Sequence, residues 1–171
     1  MKIPKIDISN EWDNPKSGVH NAVLIDVIDK GLQTWEFNGE SKQAHKIRLL
    51  WEVEEKTSGG KPMMAAKSYT KSLAPNSNLR AMLRSWLGRE MSEQKLNNFD
   101  TDDLIGRPAQ VLVKAYEKHG ESRVYVEEVR KPLEDSQLQP SGEYIRMQDR
   151  EGYEPPGQSA EPMCSGKQWT L

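Results

Sequence analysis

Along the first half of the chain, apolar side chains recur at every second position. Val23, Ile25 and Val27 alternate with Leu24, Asp26 and Ile28, the period of a strand with one apolar and one mixed face. Gly31 reads as a bulge, and residues 35–40 as a loop closed by the turn dipeptide Asn38-Gly39. A second strand is clearer: Ile47, Leu49, Trp51 and Val53 point one way, with Arg48, Leu50 and Glu52 opposite. Ser58-Gly59-Gly60 predicts a second hairpin turn, and residues 62–73 a third strand.

The period then lengthens. Leu79, Met82, Leu83, Trp86 and Leu87 fall on one stripe of a helix, with Ser77 as N-cap and Gly88 as its stop. Residues 92–97 could add a turn of helix, and Asp100 can cap a short helix ending at Gly106, with Asp103 at its N3 position. Alternation returns over 109–116, passes a hairpin at His119-Gly120, and continues over 123–129; Pro132 ends regular structure. Three strands, a helical segment and two strands is the chain order of the five-stranded OB barrel, whose second and third strands and adjoining loops bind oligonucleotides and oligosaccharides. The expected fold is therefore mainly β: an OB-like barrel over residues 1–132, followed by a flexible acidic tail over 133–171.

Charge sharpens this division. The chain's formal net charge of -2 hides a split, because residues 133–171 hold seven acidic and three basic side chains, leaving 1–132 net basic. Between Lys56 and Arg89 there are seven basic residues and no acidic one: Lys56, Lys61, Lys67, Lys71, Arg80, Arg84 and Arg89. Clustered cations point to a polyanionic partner, because they release counterions when they neutralise phosphates; a solvated basic face is the bland alternative. Mean hydropathy is -0.82, polar for a compact domain, and the tail carries four prolines with no sustained period. No apolar run approaches membrane-spanning length, and the lone Cys164 excludes an internal disulfide. A cytoplasmic protein with no membrane partner is expected.

The strands repeat one chemistry. Lys67, Tyr69 and Lys71 share a face of the third strand; Lys114, Tyr116 and Lys118 share one in the fourth, and Arg123 and Tyr125 in the fifth. Single-strand binders combine a cationic groove with rings on which bases stack, and these eight residues fit that need. Tyrosine also favours strands for packing alone. Trp35 and Phe37, in the first loop, either contact a ligand or close the end of the barrel. Arg80 and Arg84 leave the helix's apolar stripe and could meet phosphates. Trp51 and Trp86 belong to the core.

Catalytic readings find little. His20, His45 and His119 lack metal-ligand spacing, Thr57–Lys61 lacks the glycine and Ser/Thr of a phosphate loop, and neighbouring acidic pairs such as Asp102-Asp103 point to different faces. No enzyme activity, metal or cofactor is expected.

Tyr69-Thr-Lys-Ser-Leu73, then Asn78-Leu-Arg-Ala-Met-Leu-Arg-Ser-Trp-Leu-Gly-Arg89, then Phe99-Asp100 and Leu104-Ile-Gly-Arg-Pro108 resemble a family of small proteins encoded in the replication and recombination clusters of tailed bacteriophages and prophages. Its members are generally regarded as OB-type single-stranded-DNA-binding proteins. The resemblance runs from about Gly18 to Pro132. It implies a non-catalytic replication accessory, with Tyr69, Lys71, Arg80 and Arg89 as functional positions inside the matching block. Single-strand binders commonly end in an acidic, aromatic-tipped peptide; here the end is Ser165-Gly-Lys-Gln-Trp-Thr-Leu171, a different motif. The expected function is non-specific single-stranded DNA binding that protects strands in phage replication or recombination. Proteins of those processes could be reached through the tail, and further copies of the chain could associate with it. The rival expectation is a non-enzymatic adaptor whose barrel face binds a host or phage replication protein.

Overall fold

The computed structural model describes residues 14–156 apart from Ser58, Asp135 and Gln137. It holds one five-stranded antiparallel sheet: β1 (Gly18–Phe37), β2 (Glu40–Lys56), β3 (Pro62–Thr70), β4 (Pro108–Lys118) and β5 (Glu121–Arg130), in the order β3-β2-β1-β4-β5. Between β3 and β4 lie α1 (Asn78–Leu87), α2 (Glu93–Asn97) and a 3-10 turn at Thr101–Leu104. The two edge strands come together without joining their backbones into a ladder. Lys67 Nζ on β3 instead donates to the carbonyl of Glu127 on β5, at 2.9 Å.

The predicted caps are present. Ser77 Oγ accepts from Arg80 N, and Gly88 closes α1 at φ 75°, its amide donating to the Arg84 carbonyl. Asp100 caps the 3-10 turn through Asp102 N rather than Asp103, since the tighter turn brings the nearer amide within reach. Leu79, Met82, Leu83 and Trp86 pack α1 into the sheet's inner face beside Leu24, Leu49, Trp51, Val111 and Val126. Trp86 sets its edge against Trp51, with ring centroids 4.9 Å apart and planes at 65°, and its Nε1 donates to the Pro108 carbonyl at the start of β4.

β1 departs from the simple alternation. Ala22 and Leu24 face the core, and a register shift between Leu24 and Asp26 moves the inward position to Val27. Val23, opposite Glu52, and Asp26, opposite Leu50, therefore face outward, yet Val23, Asp26 and Glu52 are all buried. What covers them is the segment expected to be a flexible tail. Residues 138–156 form a strap across the outer face, with a short 3-10 turn at Met147–Asp149. Ser141 donates to Glu52 from both its amide (2.8 Å) and its hydroxyl (2.6 Å). Asp26, with 1% of its surface exposed, accepts from the Tyr144 hydroxyl (2.9 Å), Arg146 Nε (3.1 Å) and Met147 N (2.9 Å). Two carboxylates that would be costly to bury alone are thus fully partnered, which ties the strap down. The division at residue 132 is corrected accordingly for residues up to 156. Cys164 and the terminal Trp-Thr-Leu lie outside the described residues.

Candidate nucleic-acid interface

Both outer hairpins run past the strands that flank them. β4 pairs with β1 only over residues 18–23, and β3 leaves β2 at Lys46, so residues 31–37 and 40–46 stand out as a two-stranded arm. Its turn holds Asn38 and Gly39 at φ 53° and 79°, the primed-turn geometry that matches strand twist. Its root is the Gly31 bulge, whose amide donates to Asp29 Oδ1 at 2.8 Å. The predicted loop at 35–40 is therefore mostly strand, because the Asn-Gly turn needs only its own two residues.

Strand alternation decides what the arm displays. Trp35 pairs with Lys42, Phe37 with Glu40 and Gly31 with Lys46, which puts these side chains on one face. Lys46 Nζ lies 4.8 Å from the centre of the Trp35 ring, and Lys42 Nζ 4.9 Å from that of Phe37. Both rings are exposed, Phe37 at 55%. Trp35 was readable as a candidate. Lys42 and Lys46 were missed because neither belongs to a Lys-x-aromatic repeat; they reach the rings only across the turn.

The second arm, formed by the ends of β4 and β5, leaves the sheet in the opposite direction along β1, since Gly18 at the start of β1 pairs with Val113. On one face Lys114 pairs with Tyr125, Tyr116 with Arg123 and Lys118 with Glu121. The Tyr116 and Tyr125 rings meet edge to face at 5.8 Å. Cation and ring share a face within each strand, as the alternation predicts, and the pairing joins the two strands' faces, but two of the cations are engaged. Lys114 lies 2.7 Å from Glu127, whose hydrogen bond and charge raise its pKa, and Arg123 lies 3.4 Å from Glu121.

The third strand differs from the expectation. Its Lys67-Tyr69 face is the inner one: Tyr69 is only 5% exposed and lies in the core cluster, so its ring is unavailable as a stacking platform. Burial pushes its hydroxyl pKa well above the ordinary value. Lys67 sits over that ring and spans to β5. Lys71, beyond the end of β3, pairs with Asp29 at 3.0 Å. Burial alone would raise the Asp29 pKa, but the Gly31 amide and Lys71 outweigh it and hold it low.

Part of the acid-free run is paired from just past its end. Glu90 folds back to Arg80 (3.0 Å) and Arg84 (3.3 Å), and Arg80 also donates to the Leu73 carbonyl. Arg89 is exposed and makes no ion pair among the described residues. A count along the chain could not see this, because Glu90 follows the last basic residue by one position.

On the strap, burial and then the Asp26 carboxylate push the Tyr144 hydroxyl up to about 12. Burial would lower the Arg146 pKa, but Asp102 and Asp26 prevail and raise it. The folded Tyr144 value lies above the ordinary 10.0, so its contribution is complete below the unfolded pKa and is lost as pH rises through about 12. Tyr69 shifts in the same direction. Stability measured by denaturant titration should therefore fall as pH rises above about 10. Tyr144→Phe should remove the strap's share of that fall.

An open groove of about 480 Å³ lies between β1, the helical segment and the strap, with Val27, Ile47, Leu79, Phe99 and Met147 among its lining residues. Among the described residues, no group of three His, Cys, Asp or Glu side chains is placed to hold a metal, and no helix is long and apolar enough to cross a membrane. No protein-family model and no curated protein matches the chain.

Proposed function

We propose that the chain binds single-stranded DNA with little sequence preference and protects it during phage replication or recombination, on an OB-like barrel left open between β3 and β5. The supporting observation is the pair of protruding hairpin arms, each with aromatic rings and cations on one face. Rings accept any base by stacking, and cations track the phosphates, so this combination favours strands over sequence. The sheet order and the Lys67 bridge between its edges are compatible with the barrel, whose hairpin loops flank the ligand in OB folds.

Affinity for labelled oligo-dT should fall with salt, by about 0.7 in the log-log slope per phosphate neutralised. Lys42, Lys46 and Lys118 are the arm-face lysines lying within ion-pair distance of no described carboxylate. With three such contacts, the slope should be roughly -2. Flat affinity across salt would overturn the electrostatic account, and absence of binding at low salt would overturn the function.

The adaptor reading draws on the open apolar groove, which no base-stacking role uses. Tight, salt-insensitive capture of a replication protein, without oligonucleotide binding, would select it instead.

A further inference from the structure

We infer that the two arms divide the work of binding: the β1–β2 arm carries most of the charge dependence, and the β4–β5 arm supplies stacking with a smaller salt dependence, from Lys118. The inference rests on the single-strand reading and assigns Phe37, Lys42 and Lys46 to the interface.

Ion pairing separates the arms. On the β4–β5 arm, Lys114 and Arg123 already have carboxylate partners in Glu127 and Glu121. A phosphate arriving there exchanges one anion for another and releases few counterions. On the β1–β2 arm, the described groups that Lys42 and Lys46 touch are neutral: the Phe37 and Trp35 rings, and for Lys46 the Thr70 hydroxyl at 2.8 Å. Glu40 shares that face at the tip but lies within ion-pair distance of neither lysine. Among the described residues, no carboxylate lies within ion-pair distance of either charge.

Geometry gives the ligand class. From root to tip the face holds Lys46, then Gln33 opposite Ala44, Trp35 opposite Lys42, and Phe37 opposite Glu40, and each of the two rings has a lysine Nζ over it. Trp35 and Phe37 are two residues apart on one strand, about 6.6 Å at the usual rise. That is roughly twice the 3.4 Å separation of stacked bases in a duplex. Bases placed on both rings must be unstacked from one another, which a single strand permits and a paired duplex resists.

Two double variants of the full chain test this. Lys42→Gln with Lys46→Gln, and Lys114→Gln with Arg123→Gln, each remove two positive charges, so their effect on net charge is equal. The first should flatten the oligo-dT salt slope by about 1.4, at 0.7 per phosphate. The second should leave the parent slope in place. A Lys42→Arg, Lys46→Arg chain should keep the parent slope, and thermal melts should show all three as folded as the parent. A duplex of the same length should compete less well than oligo-dT for the parent. Equal flattening by both double variants, or a larger effect from the second, would overturn the division while leaving single-strand binding intact; equal competition by duplex would overturn the ligand class drawn from the ring spacing. A parent that binds no oligo-dT would overturn both.

Discussion

Asp26→Ala in the full chain should cost about 3–5 kcal/mol, the range for removing one side of a buried, hydrogen-bonded ion pair. For a chain of this size that lowers the melting temperature by roughly 10 °C. The substitution leaves the Tyr144 hydroxyl, Arg146 Nε and Met147 N–H facing a wall that no longer accepts from them. The strap can escape by lifting off, so the cost is capped by what its docking contributes. Ending the chain at Pro132 should therefore cost a similar amount, although composition alone predicts that nothing structural is lost there. The same Asp26→Ala change in the shortened chain should be nearly neutral, since Asp26 is then hydrated. Denaturant midpoints for the four combinations form a double-mutant cycle. A full-size cost in the shortened chain would show that Asp26 has an essential partner other than the strap.

Tyr69→Ala should cost about 3–5 kcal/mol of stability, as for other buried aromatic truncations. The ring packs in the core and Lys67 lies over it on the way to β5, so a void there also loosens the contact between the sheet's edges. Tyr69→Phe keeps the volume and should cost far less. Chemical denaturation checks both, and oligonucleotide titration of the Phe variant should match the parent. If Tyr69→Ala instead melts like the parent and loses affinity, the ring is a stacking platform after all.

Much of the fold is legible because local rules decide it. Ser77 and Gly88 bound α1 by capping chemistry, Asn38-Gly39 and His119-Gly120 fix two hairpins, and the alternation from Ile47 to Val53 sets the inner face of β2. The site is less legible because it depends on partners distant along the chain. Tyr69 and Tyr116 sit in similar Lys-x-Tyr-x-Lys contexts, yet one is core and the other 41% exposed: Tyr69 lies on the inner face of the sheet, while Tyr116 lies on an arm that has run past β1. Glu90 shares its one carboxylate between two arginines by folding back over a turn. The strap is read as a tail because its apolar content is low; hydrogen bonds to Asp26 and Glu52, not a periodic stripe, hold it. The readable sign was on the sheet: two acidic residues inside apolar strand segments, which need donors from somewhere.

The edge-to-face pair of Trp51 and Trp86 has an optical consequence. Two indoles fixed 4.9 Å apart and inclined at 65° couple their ultraviolet transitions, producing a near-ultraviolet dichroic signal that depends on their mutual orientation. One ring belongs to β2 and the other to α1, so the signal reports helix-on-sheet packing and disappears when that packing loosens, even if secondary structure survives. Trp35, exposed on the arm, lies outside this pair and reports its own surroundings through emission. Among the described residues, the tryptophans thus divide into one pair that reports the integrity of the core and one ring, Trp35, that reports events on the surface.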